Sequence, residues 1–298
     1  MSNVKEMLSG VYAPMCTPFD NDEVLYSGLE QNISKMNSSS LKGYFILGTN
    51  GEFKTVSEAE RVKILEIAVK TAADDKVVMA GTGTESTRET IRLTRQAAEI
   101  GVSSVSLLMP NFFAKKIDDE VLINHIIEVA ESSPIPVVLY NNPSVAAGIV
   151  ISEAVIKTVS THENVVGVKD SSKDTWSANT AYDSEGFSAM AGSASYFLDL
   201  LEKGGTGGVL SLANIIPDAC GELYQLYISG KKEEAYALNE KLVSLNKLVS
   251  GKYGVAGVKF AMSYAGFAGG NPRRPIKSLT EEQKKSVEAD LAASGFFK

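Results

Sequence analysis

The chain has 298 residues, 44% of them apolar and 22% charged, a composition with ample material for a buried core and one that sets disorder aside. Its formal charge of −7 and pI near 5.1 argue against a broad nucleic-acid or anionic-membrane surface, which would need clustered Lys and Arg. Only Cys16 and Cys220 are present, far apart in sequence, so neither a disulfide framework nor a thiolate metal site is expected and a reducing cytoplasm is the expected compartment.

In chain order, the opening MSNVKEMLSGVYAPMCTPF lacks the basic and apolar regions of a secretory signal. No later stretch reaches the roughly eighteen uninterrupted apolar residues of a membrane span, so neither export nor membrane insertion is expected. Short apolar runs ending in Gly, Asn, Ser, Thr or Pro then recur. They are VYAPMCTPF from Val11, GYFILGT from Gly43, KVVMAGTG from Lys76, SVSLLMP from Ser104, PVVLYNNP from Pro136, VVGVKDSS from Val165, FSAMAGSA from Phe187 and GGVLSLAN from Gly207. Between most of them lie stretches such as SEAERVKILEIAVKTAA, STRETIRLTRQAAEIG and DDEVLINHIIEVAESS, whose apolar positions recur at helical spacing. The first two open with Ser and Glu placed for N-caps, and Gly101 stands where a helix stop belongs.

Strands without polar alternation, each followed by a helix, imply a parallel sheet covered on both faces. Eight such units imply closure into a single (β/α)8 TIM barrel of the α/β class, with an open doubly wound sheet as the alternative. From about Leu223 the pattern is helical without new strands, broken once at GGNPRRP. The expected organisation is therefore a barrel over residues 1–222 and a C-terminal helical extension over 223–298 packed on it.

Barrel chemistry sits at the C-terminal ends of the strands, and several of these ends are unusually polar. Lys169 follows the apolar Val165–Val168 and should project into or beside the barrel mouth. Burial there favours the neutral amine, the form that attacks a carbonyl. By position alone, the plainer reading of a lysine that ends a strand and reaches water comes first. The GTNGE turn gives Gly48 and Gly51 for close backbone approach and Thr49 and Asn50 for amides and polar side chains, which suits a small carboxylate. Alone, it reads equally as an ordinary loop capping the next helix. Tyr140 ends its strand with a hydroxyl available for proton transfer, although a tyrosine satisfied by backbone is commoner. Together the three form a coherent imine-forming site, which none forms alone.

The motifs APMCTPF, GTNGE with its following SEAER, IPVVLYNNP, VVGVKDSS and AGSA, in that order across nearly the whole chain, resemble the dihydrodipicolinate synthase and N-acetylneuraminate lyase family of pyruvate-dependent class I aldolases. The resemblance implies Lys169 as the Schiff-base lysine, Tyr140 as the acid/base, and Thr49 and Asn50 as the hold on the pyruvate carboxylate. It also implies a cytoplasmic homotetramer, a dimer of dimers, with no metal and no cofactor beyond the covalent lysine imine. The expected partners are a small-molecule 2-oxo acid and an aldehyde.

Two departures bear on the substrate. Dihydrodipicolinate synthases usually carry an arginine shortly after the YNxP tyrosine, whereas this segment reads Pro143-Ser144-Val145-Ala146-Ala147-Gly148. The family also commonly has a tyrosine pair after the fourth strand, one hydroxyl completing a proton relay in the neighbouring subunit. Here Phe112 and Phe113 stand instead, so water or Thr49 would have to substitute, or the reaction tolerates the loss. The KDSS wording and the Asn of GTNGE look more like the branch with 4-hydroxy-2-oxoglutarate aldolases and 2-keto-3-deoxy sugar-acid aldolases or dehydratases. In that branch Ser171, Ser172, Ser193, Ser195, Ser211 and Asn214 would hydrogen-bond substrate hydroxyls, though small polar residues also simply end strands.

The expected function is reversible carbon–carbon cleavage of such a 2-oxo acid to pyruvate and an aldehyde. The alternatives are 4-hydroxy-tetrahydrodipicolinate synthase, a sugar-acid dehydratase, and a catalytically weak pyruvate-binding homologue. A metal-dependent aldolase would need a ligand cluster, yet the only histidines are His125, in a helical pattern, and His162, in a loop. A phosphosugar enzyme would use the Gly204–Gly208 cluster, but that cluster precedes the eighth strand and suits a tight turn at the opposite barrel face.

Overall fold

The computed structural model of the chain describes residues 2–172 and 186–297. Eight short strands form a closed barrel: β1 Gly10–Pro14, β2 Gly43–Ile46, β3 Val77–Gly81, β4 Ser104–Leu108, β5 Val137–Asn141, β6 Val165–Asp170, β7 Ser188–Ala191 and β8 Gly207–Val209. Around the barrel the order is β1-β8-β7-β6-β5-β4-β3-β2, each strand beside its neighbours in sequence. The fold is the (β/α)8 barrel expected, with a helical C-terminal region. Almost every strand residue is buried, which is why the strands read as continuous apolar runs rather than alternating ones.

The helices form where the caps and spacing place them. Helix α1 covers Ser2–Met7 and α2 Tyr26–Met36. Helix α3, Glu58–Thr71, starts on a reciprocal capping box, with Ser57 accepting from the Glu60 N–H and Glu60 accepting from the Ser57 N–H. Helix α4, Thr87–Ile100, starts on Ser86 and stops at Gly101, whose φ of 103° is a left-handed stop that glycine adopts freely. Helix α5, Asp119–Ser132, is capped by Asp118, and α6 and α7 cover Glu153–Val159 and Phe197–Glu202. In the C-terminal region α8 is Pro217–Ile228, α9 Lys232–Asn246, α10 Lys252–Tyr264 and α11 Glu281–Ala293. Residue 222, the boundary expected between barrel and extension, falls inside α8. Helix α10 is interrupted at Gly254, whose φ of 57° is not helical.

The chain groups into two compact units, residues 1–10 with 77–209 and residues 11–76 with 210–298. In the first, residues 204–208 turn tightly into β8: the Gly10 N–H donates to the Thr206 carbonyl at 3.1 Å, and a side chain at Gly207 would collide with the Leu8 and Gly10 carbonyls. This cluster thus lies by the start of β1, where no phosphate site is expected. In the second, the C-terminal helical region packs on residues 11–76. Asn32 exchanges hydrogen bonds with Ala268 in both directions, at 2.9 and 2.7 Å. Arg273 grips Glu60 through both terminal nitrogens, at 2.9 and 2.6 Å, which draws the Glu60 carboxyl down from 4.5 to about 2. A small hairpin, Phe19–Asp20 with Glu23–Val24, precedes α2.

Candidate active site

Neighbouring strands β5 and β6 pair in a register that sets Tyr140 opposite Lys169 and Asn141 opposite Asp170. Side chains alternate along a strand, so the first pair shares one face and the second pair the other. Lys169 and Tyr140 are each only 4% exposed, and the lysine amine lies 3.8 Å from the centre of the tyrosine ring. Burial pushes the Lys169 ammonium below its ordinary range, while the Tyr140 hydroxyl beside it pulls the other way. The outcome is a lysine held toward the neutral, nucleophilic amine.

Tyr140 is oriented by the residues that follow it. The Asn142 side-chain amide donates to the Tyr140 hydroxyl oxygen at 2.8 Å, and the Ser144 hydroxyl donates to the Asn142 amide oxygen at 2.6 Å. An oxygen that accepts there can direct its own proton elsewhere, which is what a proton-transfer group requires. On the opposite face, Asn141 donates to the fully buried Asp170 carboxylate at 3.1 Å and accepts from the Ile151 N–H at 3.1 Å. The other Asp170 oxygen accepts from the Ser172 N–H at 2.7 Å. The strand ends carrying Tyr140 and Lys169 are therefore tied to each other behind the reactive pair.

Tyr196 completes this arrangement, and no sequence pattern singled it out. Its hydroxyl donates to the Asp170 carbonyl at 2.6 Å, the same carbonyl that receives the Gly192 N–H at 2.7 Å. Burial raises the Tyr196 phenol, with Asp170 and Tyr140 adding to the rise and Ser171 and Gly192 hydrogen bonds opposing it. Tyr196 thus stays protonated and clasps the residue next to Lys169. Gly192, in the AGSA motif, admits no side chain: an added Cβ would sit 2.8 Å from the Asp170 carbonyl and collide with the Ser171 hydroxyl.

In the other compact unit, the GTNGE turn follows β2. It is bracketed by two non-glycine residues in the left-handed region, Leu47 at φ 58° and Glu52 at φ 52°. Thr17 donates to the Gly51 carbonyl at 2.8 Å, and the Glu52 N–H donates to the Thr49 carbonyl at 3.0 Å. Gly48 and Gly51 are buried where a Cβ would press on the Phe45 ring and on the Met15 carbonyl, so both glycines serve close packing within the protein. Thr49 and Asn50 are half-buried, and the Asn50 amide donates to the Ser211 hydroxyl at 3.0 Å.

The remaining candidates divide. Ser171 and Ser211 are half-buried at strand ends beside Tyr196 and Asn50. Ser193 accepts from the Ser195 N–H at 3.2 Å as the cap of a short 3-10 turn. Asn214 is fully buried, and its amide bonds the Cys16 N–H and the Pro14 and Ser211 carbonyls, a backbone tie rather than a ligand for substrate hydroxyls. Phe112 and Phe113 are 77% and 69% exposed, edge to face at 4.9 Å. Their loop is held by Glu85, which accepts from the Asn111 and Phe112 N–H groups at 2.7 and 2.8 Å. His125 is buried in α5 against the Thr87 hydroxyl at 2.9 Å. Among the described residues no three His, Cys, Asp or Glu side chains gather to hold a metal ion, and no helix is long and apolar enough to cross a membrane.

Residues 7–294 match the model of the dihydrodipicolinate synthetase family. A relative named 4-hydroxy-tetrahydrodipicolinate synthase, from Methanococcus aeolicus, is 33% identical over 289 residues, covering 97% of this chain and 99% of its own. A relative from Emericella nidulans, named "Probable 4-hydroxy-2-oxoglutarate aldolase, mitochondrial", is 32% identical over 299 residues, covering 97% and 96%. The crystal structure of dihydrodipicolinate synthase from Aquifex aeolicus superposes with a TM-score of 0.91 at 28% identity, covering 97% of this chain and 99% of that one. With the fold, the strand-end residues and these likenesses in agreement, the chain belongs to the dihydrodipicolinate synthetase family of lyases and aldolases.

Proposed function

We propose that this enzyme is a class I aldolase that cleaves and forms a carbon–carbon bond in a 2-oxo acid through an imine on Lys169. The observation that carries the reading is the buried amine of Lys169, set in register with Tyr140 and 3.8 Å from its ring. The Thr49–Asn50 turn takes the substrate carboxylate on its backbone and side-chain donors. The neutral amine adds to the 2-oxo carbon, and Tyr140 gives its proton to the departing hydroxide as the carbinolamine loses water, which leaves a protonated imine and a Tyr140 phenolate. The bond between carbons three and four breaks with its electron pair flowing to the imine nitrogen, while the phenolate takes the proton from the carbon-four hydroxyl. An aldehyde leaves, Tyr140 returns that proton to the enamine at carbon three, and water then adds to the imine carbon, giving its proton back to Tyr140 as pyruvate and the free lysine are released.

The aldehyde partner divides two readings. Within the cleavage branch, 2-keto-3-deoxy sugar acids whose aldehyde half lacks a carboxylate are supported by the segment Pro143–Gly148, which presents no basic side chain for one, and 4-hydroxy-2-oxoglutarate, whose aldehyde half carries a carboxylate, is supported by the relative from Emericella nidulans. The synthase reading, pyruvate condensing with a carboxylate-bearing aldehyde, is supported by the relative from Methanococcus aeolicus. Borohydride trapping with pyruvate tests the shared chemistry: an adduct on Lys169 that Lys169→Ala abolishes is expected, and its absence in wild type would overturn the reading. Parallel turnover assays with 4-hydroxy-2-oxoglutarate, 2-keto-3-deoxy sugar acids and the condensation pair then decide between the branches.

A further inference from the structure

A second lysine, Lys259 in α10, is wholly buried at 0% exposure. Its ammonium forms an ion pair with Glu52, donates to the Asn271 carbonyl at 2.8 Å, and lies 4.4 Å from the centre of the Phe19 ring. Glu52 is the last residue of the GTNGE turn, and it is 5% exposed. Its other carboxylate oxygen accepts from the Arg273 N–H at 2.9 Å, and its carbonyl accepts from Thr55 through both the N–H, at 2.8 Å, and the hydroxyl, at 2.9 Å.

Burying two opposite charges brings no dependable stability, because desolvation offsets their attraction, and packed apolar residues often serve as well or better. What this pair does supply is direction. Glu52 stands at φ 52°, a conformation that strains a non-glycine residue and persists only where the surroundings over-determine it. The surroundings here are the ammonium of Lys259 and the backbone N–H of Arg273, both from the C-terminal helical region. In formal charge Glu52 and Glu60 balance Lys259 and Arg273, so these four residues bring no net charge to the turn. Burial lowers the Lys259 ammonium while Glu52 counters it, and Cys16 beside them is pushed up to about 12 by burial and stays a thiol.

We propose that Glu52 and Lys259 are positioning residues that fix the Thr49–Asn50 turn in the conformation that receives the substrate carboxylate, which makes the C-terminal helical region part of the binding machinery. This rests on the assignment of that turn to the carboxylate. Neither residue touches the substrate; Glu52 acts through the backbone of the turn, and Lys259 acts through Glu52.

The test is the pyruvate dependence of borohydride trapping on Lys169 in the full-length protein, comparing wild type with Glu52→Asp, Glu52→Gln and Lys259→Met, each checked for folding by circular dichroism and thermal denaturation. A turn displaced by a fraction of an ångström loses carboxylate binding, so the half-saturating pyruvate concentration should rise about tenfold, with the loss falling there rather than on the plateau rate. A merely structural pair would lower the melting temperature and leave half-saturation within about twofold of wild type, and that result overturns the proposal. Should Lys259→Met fail to fold, Glu52→Asp, which keeps the charge and withdraws it by one methylene, carries the same decision. Wild type that traps no 2-oxo acid strikes the functional reading and this proposal with it; wild type that traps while the folded variants match it strikes the positioning role alone.

Discussion

At the scale of single residues, proton transfer depends on how the Lys169–Tyr140 face is organised. The Asn142 amide occupies an acceptor site on the Tyr140 oxygen, so the hydroxyl proton can be directed toward the reacting atoms. Tyr140→Phe removes that proton and leaves the ring on which the Lys169 amine rests. Turnover should fall by roughly a hundredfold to ten-thousandfold, the usual scale of lost acid–base catalysis, while the trapped adduct still forms with pyruvate. Steady-state kinetics and trapping on the same variant check this, and near-normal turnover would remove Tyr140 from the proton path. Lys169 and Tyr140 were legible in the sequence because each ends an apolar run. Tyr196 and the Glu52–Lys259 pair were not, because each depends on a partner brought near only by the fold.

At the scale of elements, the strand ends and the turns after them carry the site, and their geometry depends on glycines at close approaches. Gly192 follows β7 and leaves room for the Asp170 carbonyl and the Ser171 hydroxyl. Gly192→Ala forces those groups apart, with an overpacking cost of about 1–3 kcal/mol. It should also slow adduct formation, because Asp170 adjoins Lys169 in β6. Urea denaturation with trapping kinetics measures both, and native-like values in both would contradict the packing argument. The capping box of α3 and the glycine stop of α4 were readable from Ser57, Glu60 and Gly101, since caps are local. The left-handed Leu47 and the break at Gly254 were not, since leucine carries no local preference for that conformation and the helical spacing runs on through Gly254.

At the scale of the whole molecule, the barrel was legible because buried parallel strands produce eight apolar runs with helices between them. The hairpin at Phe19–Val24 was not, since two-residue strands leave no periodicity. Stability of the whole fold should respond to His125, whose Nε2 is buried without a hydrogen-bond partner among the described residues. Burial lowers its pKa from 6.5 to about 4, so the unfolded chain takes up a proton before the folded one does. Stability from this residue is therefore complete above pH 6.5 and declines as pH falls toward 4, by about 3 kcal/mol at the limit. Denaturation across that range should show a shallower decline in His125→Gln than in wild type, and parallel curves would contradict the assignment.

Imine formation on Lys169 is decided by the intact mass of the protein after pyruvate and borohydride, followed by peptide mapping. One reduced pyruvyl group is expected, located on Lys169 and absent from Lys169→Ala. A folded wild-type protein that gains no mass with any 2-oxo acid, or that carries the adduct on another lysine such as Lys259, would contradict it.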